Sequence, residues 1–528
     1  MSNETEPLLV SSAEDTAAQL IPPATVSERD MKLVEEAVRS LPSHAVKDLL
    51  SNGVCIRCIF RLLGIQEHMC NMLGEPLEGY ESMKDWCTSK ESEVCSVCLG
   101  ILQCTHYDDK GVLVKKENAL NLSASIVESI KQQGHQIDSF SLEVSIPSII
   151  QENENIVRLY MERKYKLELW FPESLSKCIS TKDALKLAIA NSLEELLDLK
   201  SGPSSCRIRL TYSQGKPLIV APNSVEGGED CKRRKTGADI AMESVSNGSA
   251  NSLSGLQNYE SSECMIFPSD KVNEPCNLLF NCYRTSIYFG GRYLKFSRNV
   301  SQSRWIIDDE RMGEASVEEI IGGGILPMCQ GDSYKFHAAG REDIDVRMLG
   351  SGRPFLVEIL NARQVPSETH VKEIESKINN INGKLVGVKH LKMVSNEGWA
   401  LMHEGEAEKQ KQYCALVWIS RPLEDQDLQL IVSHKDMQIC QKTPVRVLHR
   451  RSPLEREKII HWMNVEKLTG SCQYFLLHLC TQAGTYIKEF VHGDLGRTNP
   501  NVGSILGCRA EILQLDVTDV KMDCFLAD

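Results

Sequence analysis

Hydrophobic and polar positions change their spacing several times along this 528-residue chain. Residues 1–29 are rich in Ser, Thr, Glu, Ala and Pro and keep no period, which predicts a disordered tail. Leu33, Val34, Ala37, Val38 and Leu41 then fall on one helical face. From about residue 118 the pattern is α/β. Ser123 is placed to cap a helix ending at Gly134. Phe140, Leu142, Val144 and Ile146 alternate as a half-buried strand. Thr181 to Lys200 carries Leu185, Ala188, Ile189, Leu193, Leu196 and Leu197 at helical spacing. Arg207 to Tyr212 alternates again. Residues 222–264 lose apolar content and read as a disordered insertion or linker. From about 275 the chain becomes strand-rich, with aromatic and β-branched strands between Asn281 and Phe296 turning at Gly290-Gly291. Ser316 to Ile321 predicts a short helix, and Val371 to Ile381 an amphipathic one.

These shifts divide the chain into a tail (1–29), an accessory domain (30–221), a linker (222–264) and a second domain (265–528). A length of 528 residues is too great for one core. No apolar run is long enough for a membrane helix. The acidic N-terminus resembles neither a secretory signal nor a transit peptide, so the 20 cysteines are expected as thiols or metal ligands. The Lys232-Arg233-Arg234-Lys235 cluster is a short nuclear-import pattern, and the cytoplasm is the alternative compartment.

The formal net charge of −13 does not mark the whole chain as a nucleic-acid binder. Local charge differs. Arg292 to Arg298 interleaves basic and aromatic residues, a pattern suited to phosphate contact and base stacking. Lys442 to Arg451 is a second basic stretch, in which Lys442, Arg446 and Arg450 are placed to contact RNA phosphate.

Two C-x2-C knuckles, Cys55/Cys58 and Cys95/Cys98, supply four thiolates, which match tetrahedral Zn²⁺. A redox pair needs one such motif at a helix start rather than two matched ones. The set leaves no open coordination position, so the zinc is expected to be structural. Cys87 and Cys104 break the spacing and read as buried thiols.

One stretch conflicts with its surroundings. Ala339 to Val346 and Arg347 carry five charges in nine residues (Arg341, Glu342, Asp343, Asp345 and Arg347) between segments that read as buried strands. Charges placed there are costly unless paired or used. Two readings stand: a charged surface hairpin, or a reactive carboxylate held by arginine.

Distant motifs bear on that choice. Gly484-Thr485-Tyr486-Ile487-Lys488 followed by Asp494-Leu495-Gly496 resembles the signature of T-loop uridine-modifying pseudouridine synthases. Gly340-Arg341-Glu342-Asp343 resembles their Arg-x-Asp motif, and Lys411-Gln412-Tyr413-Cys414-Ala415 their Lys-x-Tyr-x-Ala strand. The paired knuckles, Gly291-Arg292-Tyr293 through Ser301-Gln302-Ser303-Arg304-Trp305, and Gln441 to Arg451 are similar to family ten of the tRNA pseudouridine synthases, found in archaea and eukaryotes. Cys480 and Ser303 depart from the pattern, where a basic residue and a threonine are expected.

The resemblance implies an α+β pseudouridine synthase fold: a mixed, mainly antiparallel sheet with flanking helices, plus an N-terminal zinc-binding α/β RNA-binding domain. It implies tRNA as partner and uridine 55, often also 54, of the T loop as target. No membrane, small-molecule cosubstrate or catalytic cofactor is expected, and the chain is expected to be monomeric. Asp343 takes the nucleophile's place, by attack on the sugar or the base or by removing a proton in a glycal route; Lys488 takes that of its cation on a strand, and Tyr413 that of the residue stacking on a flipped uracil. Arg341 precedes the nucleophile and is placed to hold the RNA loop. Asp345 and Arg347 are expected to support the site. The competing class is a non-catalytic zinc-containing RNA-binding protein that keeps the cleft for docking. A carboxylate beside RNA phosphate argues against it. A zinc deaminase is excluded because no His-x-Glu partners the knuckles.

Overall fold

The computed structural model describes residues 36, 39–65, 93–215, 274–382, 384–395 and 410–521. The 1–29 tail, most of the Leu33–Leu41 face, Cys87, the 222–264 segment and its basic cluster lie outside these residues. The described chain forms two compact units. One holds residues up to Val127 together with Leu142–Leu199 and Arg209–Phe280. The other holds Glu128–Ser141, Lys200–Ile208 and the chain from Asn281 onward.

The first eleven elements, in chain order, are α1 (Ser43–Ser51), α2 (Ile56–Leu62), β1 (Thr105–Tyr107), β2 (Leu113–Lys115), α3 (Ala119–Gln133), β3 (Ser141–Ser145), α4 (Ser148–Tyr165), α5 (Phe171–Lys177), α6 (Thr181–Leu197), β4 (Cys206–Ser213) and β5 (Asn277–Arg284). The strands form a sheet in the order β2-β1-β5-β4-β3, built mostly from the first unit. The alternation in β4 buries Cys206, Ile208, Leu210 and Tyr212 on one face. Helix α6 is capped by the Ser180 hydroxyl, which accepts from the Asp183 N–H at 3.1 Å. Its Leu185, Ala188, Ile189 and Leu193 are buried. Ser123 does not cap α3. The Asn118 side chain accepts from the Asn121 N–H at 2.8 Å, which starts the helix a turn earlier and leaves Ser123 buried inside it.

The remaining elements are β6 (Ile287–Lys295), β7 (Val300–Ser301), β8 (Ile306–Ile307), β9 (Glu310–Arg311), β10 (Ala315–Ser316), α7 (Val317–Cys329), β11 (Ser333–Ala338), β12 (Arg347–Leu360), α8 (Glu368–Asn382), β13 (Val386–Val394), β14 (Lys411–Ile419), α9 (Asp425–Ser433), β15 (Lys435–Lys442), β16 (Glu455–Lys467), β17 (Tyr474–Thr481), α10 (Ile487–His492), β18 (Thr498–Asn499), α11 (Val502–Leu506) and β19 (Ala510–Val520). Their main sheet runs β13-β6-β12-β19-β14-β17-β16-β15-β18, with β11 beside β12. The β12–β19 pair is parallel, through Arg347↔Asp516 and Met348↔Val517. The neighbouring β6–β12, β14–β19, β14–β17 and β16–β17 pairs are antiparallel. This is the mixed, mainly antiparallel sheet expected. Phe289, Tyr293, Phe355, Leu356, Val417, Phe475, Leu477 and Phe490 are among the residues of its core. Fully burying a side chain of this size contributes roughly 1.5–3 kcal/mol.

Three local readings are corrected. Gly290-Gly291 is not a turn; both glycines lie inside β6, and the strands are separated at Thr285-Ser286. A Cβ at Gly291 would meet the Phe355 ring at 3.1 Å and the Lys389 carbonyl at 3.2 Å. The glycine therefore serves close packing between strands. Helix α7 does not stop at Ile321 but runs on through Gly322, Gly323 and Gly324 to Cys329. A Cβ at Gly322 would lie 2.2 Å from the Tyr334 ring, so the helix can lie on β11 because that side chain is missing. Finally, Lys488 lies in helix α10 rather than on a strand. Ile487, Phe490 and Val491 are buried at helical spacing, and Gly493 ends the turn at φ 82°.

Candidate active site and cysteine cluster

The charged stretch is the loop between β11 and β12, and buried donors grip its backbone from several sides. Arg353 Nη1 donates to the Ala339 carbonyl at 2.9 Å, and Gln302 Nε2 donates to that of Gly340 at 2.8 Å. Lys295 Nζ donates to the carbonyls of Asp343 at 3.1 Å, Ile344 at 2.9 Å and Val300 at 2.8 Å. Arg298 Nη1 donates to the Asp345 carbonyl at 2.9 Å. Burial pushes the Lys295 amine down to about 8, although Glu342 and Asp345 oppose that shift.

The three acids of the loop then part company. Glu342 turns inward and is buried. Its carboxylate accepts from Arg353 Nε at 2.8 Å and from the Tyr293 hydroxyl at 2.9 Å. Gln302 Nε2 completes this network by donating to the Tyr293 oxygen at 2.9 Å. Asp345 is exposed and accepts from Lys488 Nζ at 2.9 and 2.8 Å. Burial raises its pKa, but the hydrogen bonds and charge of Lys488 outweigh this and hold the carboxyl below its usual value. Asp343, between them, is half-buried. Its Oδ2 accepts from Arg446 Nη1 at 3.1 Å and lies 3.5 Å from Lys488 Nζ. One cation from the 3-10 turn Val445–Val447 and another from α10 therefore converge on Asp343.

Tyr413 is half-buried on β14, paired with Val517 of β19 and Leu479 of β17. Burial pushes its phenol up to about 12, with Arg353 and Glu342 in electrostatic reach. The start of β14 adjoins the loop, because a Cβ on Gly340 would meet Lys411 Nζ at 3.0 Å. The structure thus gathers Asp343, Lys488 and Arg446 at one place and sets Tyr413 on the strand beside them.

The other basic residues fall into two groups. Arg292 Nη1 donates to the carbonyls of Gly352 at 2.9 Å and Val520 at 3.3 Å. Arg298 also pairs with Asp516 at 2.6 Å, and Arg347 binds the same carboxylate through two nitrogens. These guanidiniums tie β6, β12 and β19 together. Arg341 and Arg450 are exposed, and Lys442 lies 3.8 Å from Glu455. Sequence reasoning missed Lys295, Tyr293, Gln302, Arg353 and Glu489. The signal available was a lysine and a tyrosine inside the Arg292–Arg298 segment, read there as RNA-facing.

In the other unit, the sulfurs of Cys55, Cys58, Cys95 and Cys98 all lie within 4.8 Å of one another. Cys95 Sγ accepts backbone N–H groups from Cys55 at 3.2 Å and Val97 at 3.4 Å, and Arg61 Nη2 donates to Cys58 Sγ at 3.5 Å. Amide and guanidinium donors aimed at sulfur suit anionic thiolates, so the four cysteines fit a metal ion. Arg61 is itself buried and paired with Glu154 at 3.1 Å. Cys104 is buried, and burial raises its thiol.

A mixed sheet thus carries a cation-flanked aspartate on an inter-strand loop and a tyrosine on a central strand. A family model described as "Pus10, C-terminal" matches residues 288–521. The human tRNA pseudouridine synthase Pus10 is 32% identical over 535 residues, covering 91% of this chain and 97% of that protein. The tRNA pseudouridine synthase Pus10 of Thermofilum pendens is 37% identical over 237 residues, covering 44% of this chain and 52% of that protein. A crystal structure of a Cbf5-Nop10-Gar1 complex aligns with a TM-score of 0.25 at 15% identity, over 44% of this chain and 48% of that one. The chain belongs to the Pus10 family.

Proposed function

We propose that this protein converts uridine to pseudouridine in tRNA, at position 55 of the T loop and also at position 54, with Asp343 as the nucleophile. The observation that carries the reading is the pairing of Asp343 Oδ2 with Arg446 at 3.1 Å, with Lys488 at 3.5 Å. Two cations beside the carboxylate fix its direction and offset its charge next to RNA phosphate, which suits a nucleophile. The isomerisation breaks the N1–C1′ bond, turns the uracil and joins C5 to C1′. The hydrogen lost at C5 is regained at N1, so no oxidant or cosubstrate enters the balance. Tyr413 stacks on the flipped uracil and keeps water out. Arg341, Lys442 and Arg450 contact RNA phosphate.

The cysteine cluster would hold Zn²⁺, because four thiolates suit that ion and would leave no position for a reacting water. Cys55, Cys58, Cys95 and Cys98 would hold the ion, which would serve as a structural cross-link rather than in the isomerisation. The test is to incubate purified protein with an unmodified tRNA transcript and map pseudouridine by carbodiimide adducts and primer extension. Stops at positions 54 and 55 support the reading. A T loop free of pseudouridine, with bound tRNA demonstrated, would instead favour the non-catalytic RNA-binding class.

A further inference from the structure

Asp343 has two cations, and the structure ranks them. Lys488 Nζ spends its hydrogen bonds on both oxygens of Asp345, at 2.9 and 2.8 Å, and reaches Asp343 at 3.5 Å. Arg446 Nη1 makes the hydrogen bond to Asp343, at 3.1 Å. Its Nε donates to Glu489 Oε1 at 2.7 Å. Glu489 is 2% exposed, and its second oxygen has no hydrogen-bond partner among the described residues. A buried carboxylate of this kind is stable only against a fixed cation. Glu489 thus acts as an anchor that sets the angle of the guanidinium, and Asp343 receives the other edge of the fork. The turn that carries Arg446 is fixed too: the Val445 N–H donates to Asp494 at 3.1 Å, and Arg497 Nη2 donates to the Thr443 carbonyl at 2.7 Å.

We infer that Arg446, seated by Glu489, is the residue that positions the Asp343 carboxylate for attack, and that Lys488 acts on it mainly through Asp345. Both cations lie on the Oδ2 side of the carboxylate. The family resemblance assigned Lys488 as the carboxylate's partner, and the basic composition of Lys442–Arg451 assigned Arg446 to RNA phosphate. The carboxylate–guanidinium–carboxylate line gives Arg446 a different task.

This inference rests on Asp343 being the nucleophile, so Asp343→Asn is run beside it. The measurement is the single-turnover rate of pseudouridine formation at saturating tRNA, together with the tRNA dissociation constant, for full-length Arg446→Ala, Arg446→Lys and the double variant Arg446→Ala/Glu489→Gln. The double variant removes the buried charge that Arg446→Ala alone would strand, so a folded test protein is secured. Loss of the positioning cation lowers the rate on the order of 100-fold, as removal of one charge-stabilising donor does. Binding changes little, Arg446→Lys retains part of the rate, and free guanidinium added to the alanine variants restores part of it. A variant with weakened tRNA binding and an unchanged saturated rate would make Arg446 a phosphate contact and overturn the inference. An active Asp343→Asn would overturn the functional reading itself, whereas an inactive Asp343→Asn beside a fully active Arg446→Ala would overturn the Arg446 role alone.

Discussion

The ammonium of Lys295 donates to the carbonyl oxygen of Asp343 at 3.1 Å, so the candidate nucleophile hangs by its own backbone from a charge buried in the core. The same nitrogen holds Ile344 and Val300. Replacing it with the similar-sized Lys295→Met takes a donor from three carbonyls, although that of Asp343 keeps the Val346 N–H at 3.1 Å. Each unmet buried group costs about 1–3 kcal/mol. Urea unfolding is expected to show a loss in that range or above it. The single-turnover rate is expected to fall by at least about tenfold, since small displacements of a reacting group are costly. Unchanged stability and rate would remove Lys295 from the account.

The pH dependence of stability gives a second check on this lysine. Its folded value is near 8 against an ordinary value of 10.5. Between those values the unfolded chain still carries a proton that the folded chain has released. The contribution of Lys295 to the unfolding free energy is therefore flat below about pH 8 and rises toward pH 10.5, by at most about 1.4 kcal/mol per pH unit. Lys295→Met lacks this rise. The stability difference, wild type minus variant, is expected to widen from pH 8 to pH 10. A difference that narrows over that interval would contradict the assignment.

Glu342 and Arg353 form an ion pair whose side chains are both 1% exposed. Glu342→Gln leaves the guanidinium uncompensated, at a cost of about 3–5 kcal/mol. Glu342→Gln/Arg353→Met removes both charges and is expected to cost less than the two single changes added together. A double-mutant cycle by chemical denaturation measures the difference. Strict additivity would show that the pair does not act as a unit.

The cysteine cluster is tested by metal content. Wild-type protein is expected to carry about one zinc per chain by elemental mass spectrometry. Cys55→Ser or Cys95→Ser is expected to release it and to lower the thermal stability of the unit that contains the cluster. The Asp343 loop, in the other unit, should keep its fold. A metal-free wild-type protein would end the zinc reading.

The sequence carried the cysteine pairs, the Lys-x-Tyr strand and the aspartate motif, because each is a local pattern whose chemistry restricts residue type. The mixed character of the sheet came only with the family resemblance. What the sequence did not carry depends on pairing between distant segments. Nothing local distinguishes Glu342, which turns inward to Arg353, from Asp343 and Asp345, which do not. Arg292 and Arg298 read as RNA-facing because an outward guanidinium and one bound to a backbone carbonyl look alike in sequence. The helix expected over Ser316–Ile321 runs on through three glycines, each of which weakens an isolated helix by about 1 kcal/mol. In the fold, the missing side chain at Gly322 makes room for Tyr334. Lys488 read as a strand residue because its motif begins with β-branched and aromatic residues, while burial of Phe490 and Val491 decides for helix.

The central claim is that the Asp343 carboxylate performs the isomerisation. Asp343→Asn keeps the side-chain shape and the Lys295 hydrogen bond to the backbone while removing the nucleophile's charge. The direct measurement is pseudouridine mapping at positions 54 and 55 of a tRNA transcript treated with wild-type or Asp343→Asn protein, with tRNA binding measured on the same preparations. The expected result is modification by the wild type, none by the variant, and closely similar binding by both. Pseudouridine formed by purified Asp343→Asn protein at a rate near that of the wild type would contradict the account.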